Sequence, residues 1–193
     1  MKYNLSEITE VIKNRRTIYP EQYSDRSIHK EIVEDVLKNG VWAPTHGKTQ
    51  PWRFIVYLKD SKIELSDFLS NQYLEKFKGD DFNEMKFNKL KNRPLLAPVV
   101  IAIVMTPDPD NKILEIEEVE AVACAVQNIH LTCTAYGIGG FWSTPKIVYT
   151  KEMNEFLDIG EKDKCLGLFY MGYPSIDWPK GQRKPIEYLT TWK

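Results

Sequence analysis

The sequence predicts an α+β fold in a single domain, residues 1–193. Helical and strand patterns alternate along the chain, the length suits one hydrophobic core, and no repeat, low-complexity tract or long linker divides it. Helices gathered around a modest sheet indicate an α+β arrangement. The alternation alone also permits a doubly wound parallel sheet, so both architectures stay open at this point.

The first half of the chain predicts helices on either side of one strand. Ile8, Val11 and Ile12 have the spacing of an amphipathic helix face. A first helix is expected to end near Arg15-Arg16, and a second to begin behind a Ser27 cap and stop at Asn39-Gly40. A strand over 53–59 and a helix over 61–69 follow. Residues 71–93 are expected to form a charged, lightly packed and mainly helical excursion.

The second half contains the clearest strand and the clearest helix. Val99 to Met105 is a nearly continuous apolar run, as expected for a strand covered on both faces. Apolar residues recur at three and four positions from Glu115 to Tyr136, and Gly137 supplies a stop. A short helix over 151–157, a strand over 165–172 and a tail rich in proline and aromatic residues follow.

Composition excludes several classes of function. The formal net charge is −1, so a nucleic acid or an anionic membrane is not an expected partner. The longest apolar stretch, residues 95–105, is shorter than the roughly 20 residues that span a bilayer. Residues 1–10 lack the apolar core of a signal peptide, and we therefore expect a cytoplasmic protein. The three cysteines, Cys124, Cys133 and Cys165, have no Cys-x-x-Cys spacing, so neither a disulfide framework nor a metal site is expected.

A polar turn that runs directly into a strand is the most informative motif. Thr45, His46, Lys48 and Gln50 bring together a hydroxyl, an imidazole, an ammonium and an amide, and a β-branched and aromatic run begins at Trp52. Binding groups concentrate on loops that a rigid element positions. The motif therefore predicts a ligand-binding loop anchored to a strand.

Common catalytic motifs are missing from the sequence. There is no phosphate-binding loop, no His-Glu-x-x-His helix and no Gly-x-Ser-x-Gly elbow, and Gly137-Ile138-Gly139-Gly140 follows a helix instead of joining a strand to one. Cationic, hydroxyl and aromatic groups remain in separate segments, which suit an anionic, planar, phosphate-bearing ligand: Arg15-Arg16-Thr17, Thr45 to Gln50, Trp142-Ser143-Thr144 and Arg183-Lys184.

Five blocks, in order over nearly the whole chain, resemble the nitroreductase family of FMN-dependent oxidoreductases in its compact bacterial branch. The blocks are Val11 to Thr17, the Ala43-Pro44 and Gln50-Pro51-Trp52-Arg53-Phe54 region, the helix Ala121 to Gly137, Gly139-Gly140-Phe141-Trp142, and Gly167 to Pro174.

The resemblance implies a mostly antiparallel sheet flanked by helices, in an intertwined homodimer with FMN at the subunit interface. It further implies ping-pong chemistry, in which NADH or NADPH delivers hydride to flavin N5 and a small-molecule acceptor, such as a nitroaromatic or a quinone, is then reduced. Because the cofactor carries this chemistry, no catalytic side chain is expected.

The resemblance also implies a set of cofactor-binding residues. Arg15, Arg16 and Thr17 match the first flavin-binding segment. The loop region contributes Trp42, His46, Lys48 and Gln50, and His46 is expected to come from the partner subunit. Trp142, Ser143 and Thr144 match the segment lining the flavin ring, and Arg183 and Lys184 match a basic pair that closes on phosphate. The residue types alone also allow other roles. Arg15 and Arg16 could be a solvated helix end, and His46 a surface histidine. Trp142 could be a core tryptophan, and Arg183 and Lys184 a charged tail.

Two positions depart from the family pattern. Tyr19 stands where many relatives have a lysine near flavin N1, and Lys48 stands where many have asparagine. We expect Lys48 to replace the missing cation. A narrower flavin reaction, such as reductive dehalogenation, ene reduction or flavin fragmentation, and a noncatalytic flavin-binding protein remain alternatives. Residues 71–93 contain the Glu, Tyr and Lys types found in the lids of dehalogenating relatives.

Overall fold

One four-stranded antiparallel sheet lies at the centre of the computed structural model, which describes residues 3–193. The strands are β1 (Trp52–Tyr57), β2 (Val99–Met105), β3 (Gly139–Ser143) and β4 (Lys164–Gly172), in the order β1-β2-β4-β3. All three neighbouring pairs are antiparallel, which confirms the α+β prediction and makes the doubly wound alternative wrong. Met1 and Lys2 of the predicted domain 1–193 lie outside the described residues.

Helices cover both faces of the sheet. They are α1 (Leu5–Asn14), α2 (Lys30–Gly40), α3 (Ser61–Lys76), α4 (Glu84–Leu96), α5 (Glu115–Ala135) and α6 (Lys151–Phe156). The short 3-10 turns are Pro20–Gln22, His46–Lys48, Gly79–Asp81, Lys146–Tyr149 and Ile186–Tyr188.

Strand β2 separates two hydrophobic cores. Ile101 and Ile103 face the core formed with α2 and α5, whereas Val100 and Ala102 face the core formed with α3 and α6. All seven residues of β2 are buried, which confirms that this apolar run is covered on both faces. Helix α5 supplies much of the first core, and Gly137 takes a φ of +69° just beyond its end, as its predicted role as a stop requires.

One bound of each of two predicted helices is wrong, and the strand predicted over 53–59 ends at Tyr57. Helix α2 begins at Lys30, because Ile28 is buried in the first core ahead of the helix, so Ser27 is not its cap. Helix α3 continues past Leu69 to Lys76, because Tyr73 packs into the second core, 4 % exposed. The excursion over 71–93 is therefore the end of α3, a turn and most of α4. Within residues 3–193, every helix is too short or too polar to traverse a bilayer.

Candidate functional site

Two arginines from opposite ends of the chain come within electrostatic range of each other where α1 ends. The chain leaves α1 at Arg15 and runs beside β3, where Thr17 forms a parallel bridge with Gly140. Partial burial of Arg15 lowers its pKa, and the positive charges of Arg183 and then Arg16 lower it further. Like charges held together at a partly buried position favour an anionic ligand.

Arg16 has a different role within the chain. Its Nε donates to the carbonyl of Pro179 at 2.8 Å, and its Nη1 donates to the carbonyls of Lys13 and Arg15 at 2.6 and 2.7 Å. The guanidinium lies against Gly181, where any Cβ would overlap it. Arg16 therefore fastens the C-terminal tail to the end of α1, and this contact holds the tail that carries Arg183 and Lys184.

His130, on α5, is a buried neighbour of this cluster, and no local sequence pattern indicates its contact there. Its Nε2–H donates to the carbonyl of Arg16 at 2.9 Å, and its ring meets Phe169 edge-on at 5.3 Å. Burial, above all, lowers the pKa of His130 to about 4, and the charge of Arg15 also lowers it. His130 is therefore neutral at pH 7 and supports the backbone of the basic segment.

The three predicted residues at the end of β3 do not share one face. Trp142 packs against the first core, and its Nε1 donates to the carbonyl of Leu166 at 3.1 Å. Ser143 and Thr144 instead line a cavity of about 530 Å³. The other lining residues are Tyr73, Phe77, Asp81, Lys86, Lys89, Leu90, Arg93, Pro145, Lys146, Ile147 and Tyr170.

Arg93 places a cation beside Tyr19 in the same region. Its guanidinium carbon lies 5.0 Å from the ring centre of Phe141 and 5.4 Å from that of Tyr19, and its Nε lies 2.8 Å from a carboxylate oxygen of Glu21. The side chain is 15 % exposed. No local sequence pattern indicates Arg93, because its partners are far away along the chain.

The loop that carries His46 is strained and exposed. Lys48 and Gln50 adopt positive φ angles of 58° and 49°, a conformation that costs a non-glycine residue roughly 1 kcal/mol or more. His46 Nδ1 lies 3.1 Å from a carboxylate oxygen of Glu117, and Gln50 N–H donates to Thr45 Oγ1 at 3.2 Å. Trp42, just before the loop, is 84 % exposed.

One chain does not bring this loop to the arginine cluster. His46 contacts Glu117 in the first turn of α5, whereas Arg16 contacts His130 thirteen residues later. At a rise of 1.5 Å per residue, these two points on α5 are about 20 Å apart. The structure therefore joins Arg15, Thr17 and Arg183 in one region and leaves His46, Lys48 and Gln50 at the other end of the helix.

All three cysteines are free thiols. Cys133 and Cys165 are buried, and burial raises the pKa of each thiol, to about 11 for Cys165. Cys124 is exposed on α5. In the part of the chain that the structure describes, no three or more His, Cys, Asp or Glu side chains are grouped to hold a metal ion.

The neutral state of His130 predicts a pH dependence of stability. Because its pKa is about 4 in the folded protein and near 6.5 when unfolded, the unfolded chain binds more protons between these values. The free energy of unfolding should therefore fall as the pH drops from 6.5 to 4, by on the order of 3 kcal/mol from this group. His130→Gln, which can still donate to Arg16, should remove that part of the slope in urea denaturation, whereas the exposed His29→Gln control should keep it. An unchanged slope in His130→Gln would contradict the assignment.

Comparisons with known proteins agree with this architecture. The nitroreductase family profile matches residues 12–173. YdjA of Escherichia coli K12, provisionally named an NAD(P)H nitroreductase, is 26% identical over 167 residues, 86% of this chain and 88% of YdjA. A nitroreductase-like family protein from Bacillus cereus has a TM-score of 0.82 at 25% identity, over 100% of this chain and 98% of that one. The FMN-dependent nitroreductase NfnB from Mycobacterium smegmatis, in complex with NADPH, has a TM-score of 0.77 at 19% identity, over 98% and 100% of the two chains. The family match spans most of the sequence and the fold agrees with it, so the chain belongs to the nitroreductase family.

Proposed function

We propose that this protein is an FMN-dependent oxidoreductase that takes hydride from NADH or NADPH and then reduces a small-molecule acceptor, such as a nitroaromatic or a quinone. The observation that carries the proposal is the C-terminal tail that Arg16 fastens to the end of α1 beside β3, since this tail carries Arg183 into electrostatic range of Arg15. Family membership and the names of relatives such as YdjA support the same reaction class.

The donor set at this position fits FMN. Arg15, Arg183 and the nearby Lys184 supply positive charge for a phosphate, and Thr17 adds a hydroxyl. Gly140 lies beside Thr17, and Thr144, four residues later, lines the cavity. At 3.3 Å per residue, the distance along the strand between these two positions is about 13 Å. A ribityl chain and a tricyclic ring can cover such a span. A phosphate end and a ring end therefore have separate, suitable places.

The side chains of this site bind and orient, and none is needed as a nucleophile. When bound, FMN supplies the redox chemistry, so that NAD(P)H, one proton and a nitro compound give NAD(P)⁺, a nitroso compound and water. Arg16 holds the tail and thereby Arg183. The Ser143 and Thr144 hydroxyls can hydrogen-bond a ring edge at the cavity.

We further propose that a second copy of the chain completes the site as a homodimer. The loop of His46, Lys48 and Gln50 lies about 20 Å along α5 from the point where Arg16 contacts that helix, so only a partner's loop could reach this cluster. Apolar side chains exposed on the single chain fit burial by such a partner. They include Leu5, Ile8 and Ile12 on α1 and Tyr188, Leu189 and Trp192 in the tail.

Stopped-flow spectroscopy of the FMN-loaded protein tests the reaction. NADH or NADPH should bleach the flavin under anaerobic conditions, and nitroaromatics or quinones should restore its colour, because the two half-reactions are separable in a ping-pong cycle. A flavin that neither nucleotide reduces would indicate a noncatalytic flavin-binding protein. Reoxidation by halophenols alone would indicate a dehalogenase. A purified protein that is colourless and takes up no added FMN would refute the proposal.

The phosphate assignment predicts a selective loss of FMN affinity. Arg183→Gln should raise the FMN Kd about tenfold or more, because it removes a charge-assisted hydrogen bond to phosphate. Fluorescence titration of the apoprotein with FMN measures this effect. Lys180→Gln, which removes the same charge elsewhere in the tail, is the matched control and should change the Kd much less. Equal Kd values for the two variants would place the phosphate elsewhere.

Lys48 should tune the flavin as the missing cation. Lys48→Ala should lower the two-electron reduction potential by about 30 mV, since a cation near the ring stabilises the anionic reduced flavin and 30 mV corresponds to about 1.4 kcal/mol. Lys30→Ala, on the surface of α2, is the control. Light scattering of the same samples reports the assembly. An unchanged potential in Lys48→Ala together with a lowered one in Arg93→Gln would assign the role to Arg93 instead.

A further inference from the structure

Helix α4 presents a row of positive charges to the cavity beside Ser143 and Thr144. Lys86, Lys89 and Arg93 are three and four residues apart, so they share one face of the helix, and all three line the cavity. Lys146, in the turn after β3, adds a fourth cation to the lining, and among the described residues Asp81 is the one carboxylate there.

Helix stability does not account for this row. Like charges at three- and four-residue spacing destabilise a helix. Two lysines on other helices, Lys30 and Lys151, are instead paired with glutamates four residues later. Arg93 is paired with Glu21. Within residues 3–193, no carboxylate lies within ion-pair distance of Lys86 or Lys89, so their charge stays available to a ligand.

The rest of the cavity suits a flat aromatic molecule. Tyr73 and Phe77 stack with ring centres 4.7 Å apart, and Tyr170 and Leu90 also contribute to the walls. A volume of about 530 Å³ lies within the range of sites for small molecules. Aromatic walls below a positive rim provide both stacking and charge recognition.

We propose that this cavity receives the electron acceptor and selects acceptors that carry an anionic group, such as a carboxylate, on an aromatic ring. The inference rests on the proposed function, because Ser143 and Thr144 join the cavity to the segment assigned to the flavin ring. Lys86 and Lys89 attract the anionic group, and the aromatic walls hold the ring of the acceptor. The positive rim raises the local concentration of such substrates and their rate of association.

A pair of acceptors that differ in charge but hardly in size tests the inference. The FMN-loaded protein is reduced anaerobically with dithionite and mixed with 4-nitrobenzoate or 4-nitrobenzamide, and the rate constant of flavin reoxidation is measured at low acceptor concentration. In Lys86→Gln/Lys89→Gln, the ratio of the benzoate to the benzamide rate constant should fall about tenfold at low salt. This ratio in the unmodified protein should also decrease as salt increases.

The control variant Lys91→Gln/Lys162→Gln removes the same charge away from the cavity and should keep the ratio of the unmodified protein. The Kd of benzoate, which lacks a reducible nitro group, is measured from flavin absorbance and should rise only in the cavity variant. An unchanged ratio, or an equal fall in both variants, would overturn the inference. So would a weaker Kd for NADPH in the cavity variant with an unaltered acceptor ratio. Failure of every acceptor, neutral or anionic, to reoxidise the flavin would instead refute the proposed function.

Discussion

Strand β4 is the element on which the candidate site depends. It pairs with β2 on one side and β3 on the other, and its residues from Gly167 to Gly172 are buried. The pairing with β2 shifts near Leu166, where β4 contains an extra residue, and the carbonyl of Leu166 accepts the hydrogen bond from Trp142. Gly167 has a φ of 133°, and a Cβ there would lie 2.5 Å from Trp142 Nε1. The bulge therefore fixes β3, and β3 positions Gly140 at one end of the site and Ser143 at the other.

The basic segment at the end of α1 is supported by a neutral side chain, and within residues 3–193 no ion pair joins Arg15, Arg16 or Arg183 to a carboxylate. His130 is buried beside Arg16 and donates to its carbonyl, and burial keeps the imidazole uncharged. A charged imidazole there would add a further cation close to Arg15. Gly140 leaves room for the ring, since a Cβ would approach its Cδ2 to 2.9 Å. The positive charge of Arg15 and Arg183 is thus left available for an anion, as the proposed phosphate site requires.

Local sequence pattern predicted the elements whose burial is periodic. Strand β2 and helix α5 agree with their predicted bounds to within one residue, because their apolar residues face cores on fixed faces. The Ser27 cap failed because tertiary packing of Ile28 outweighed a local capping preference. Only the family resemblance, and no local pattern, assigns His46 to the partner subunit. Within one chain, the separation of its loop from Arg15 depends on which turn of α5 each segment contacts, and no local pattern contains that information.

Tyr19, where the family resemblance implies a lysine, lies beside a cation from another element. Its ring packs on Phe141 at 4.8 Å and lies beneath the guanidinium of Arg93. An aromatic face attracts a cation, so this region contains a positive charge whose source is α4. Glu21 offsets part of that charge. On the proposed function, Arg93 alone therefore does not supply all the positive charge that stabilises the anionic reduced flavin, and a cation on the partner's loop would add to it. The reduction potential of the flavin would then depend on assembly of the dimer.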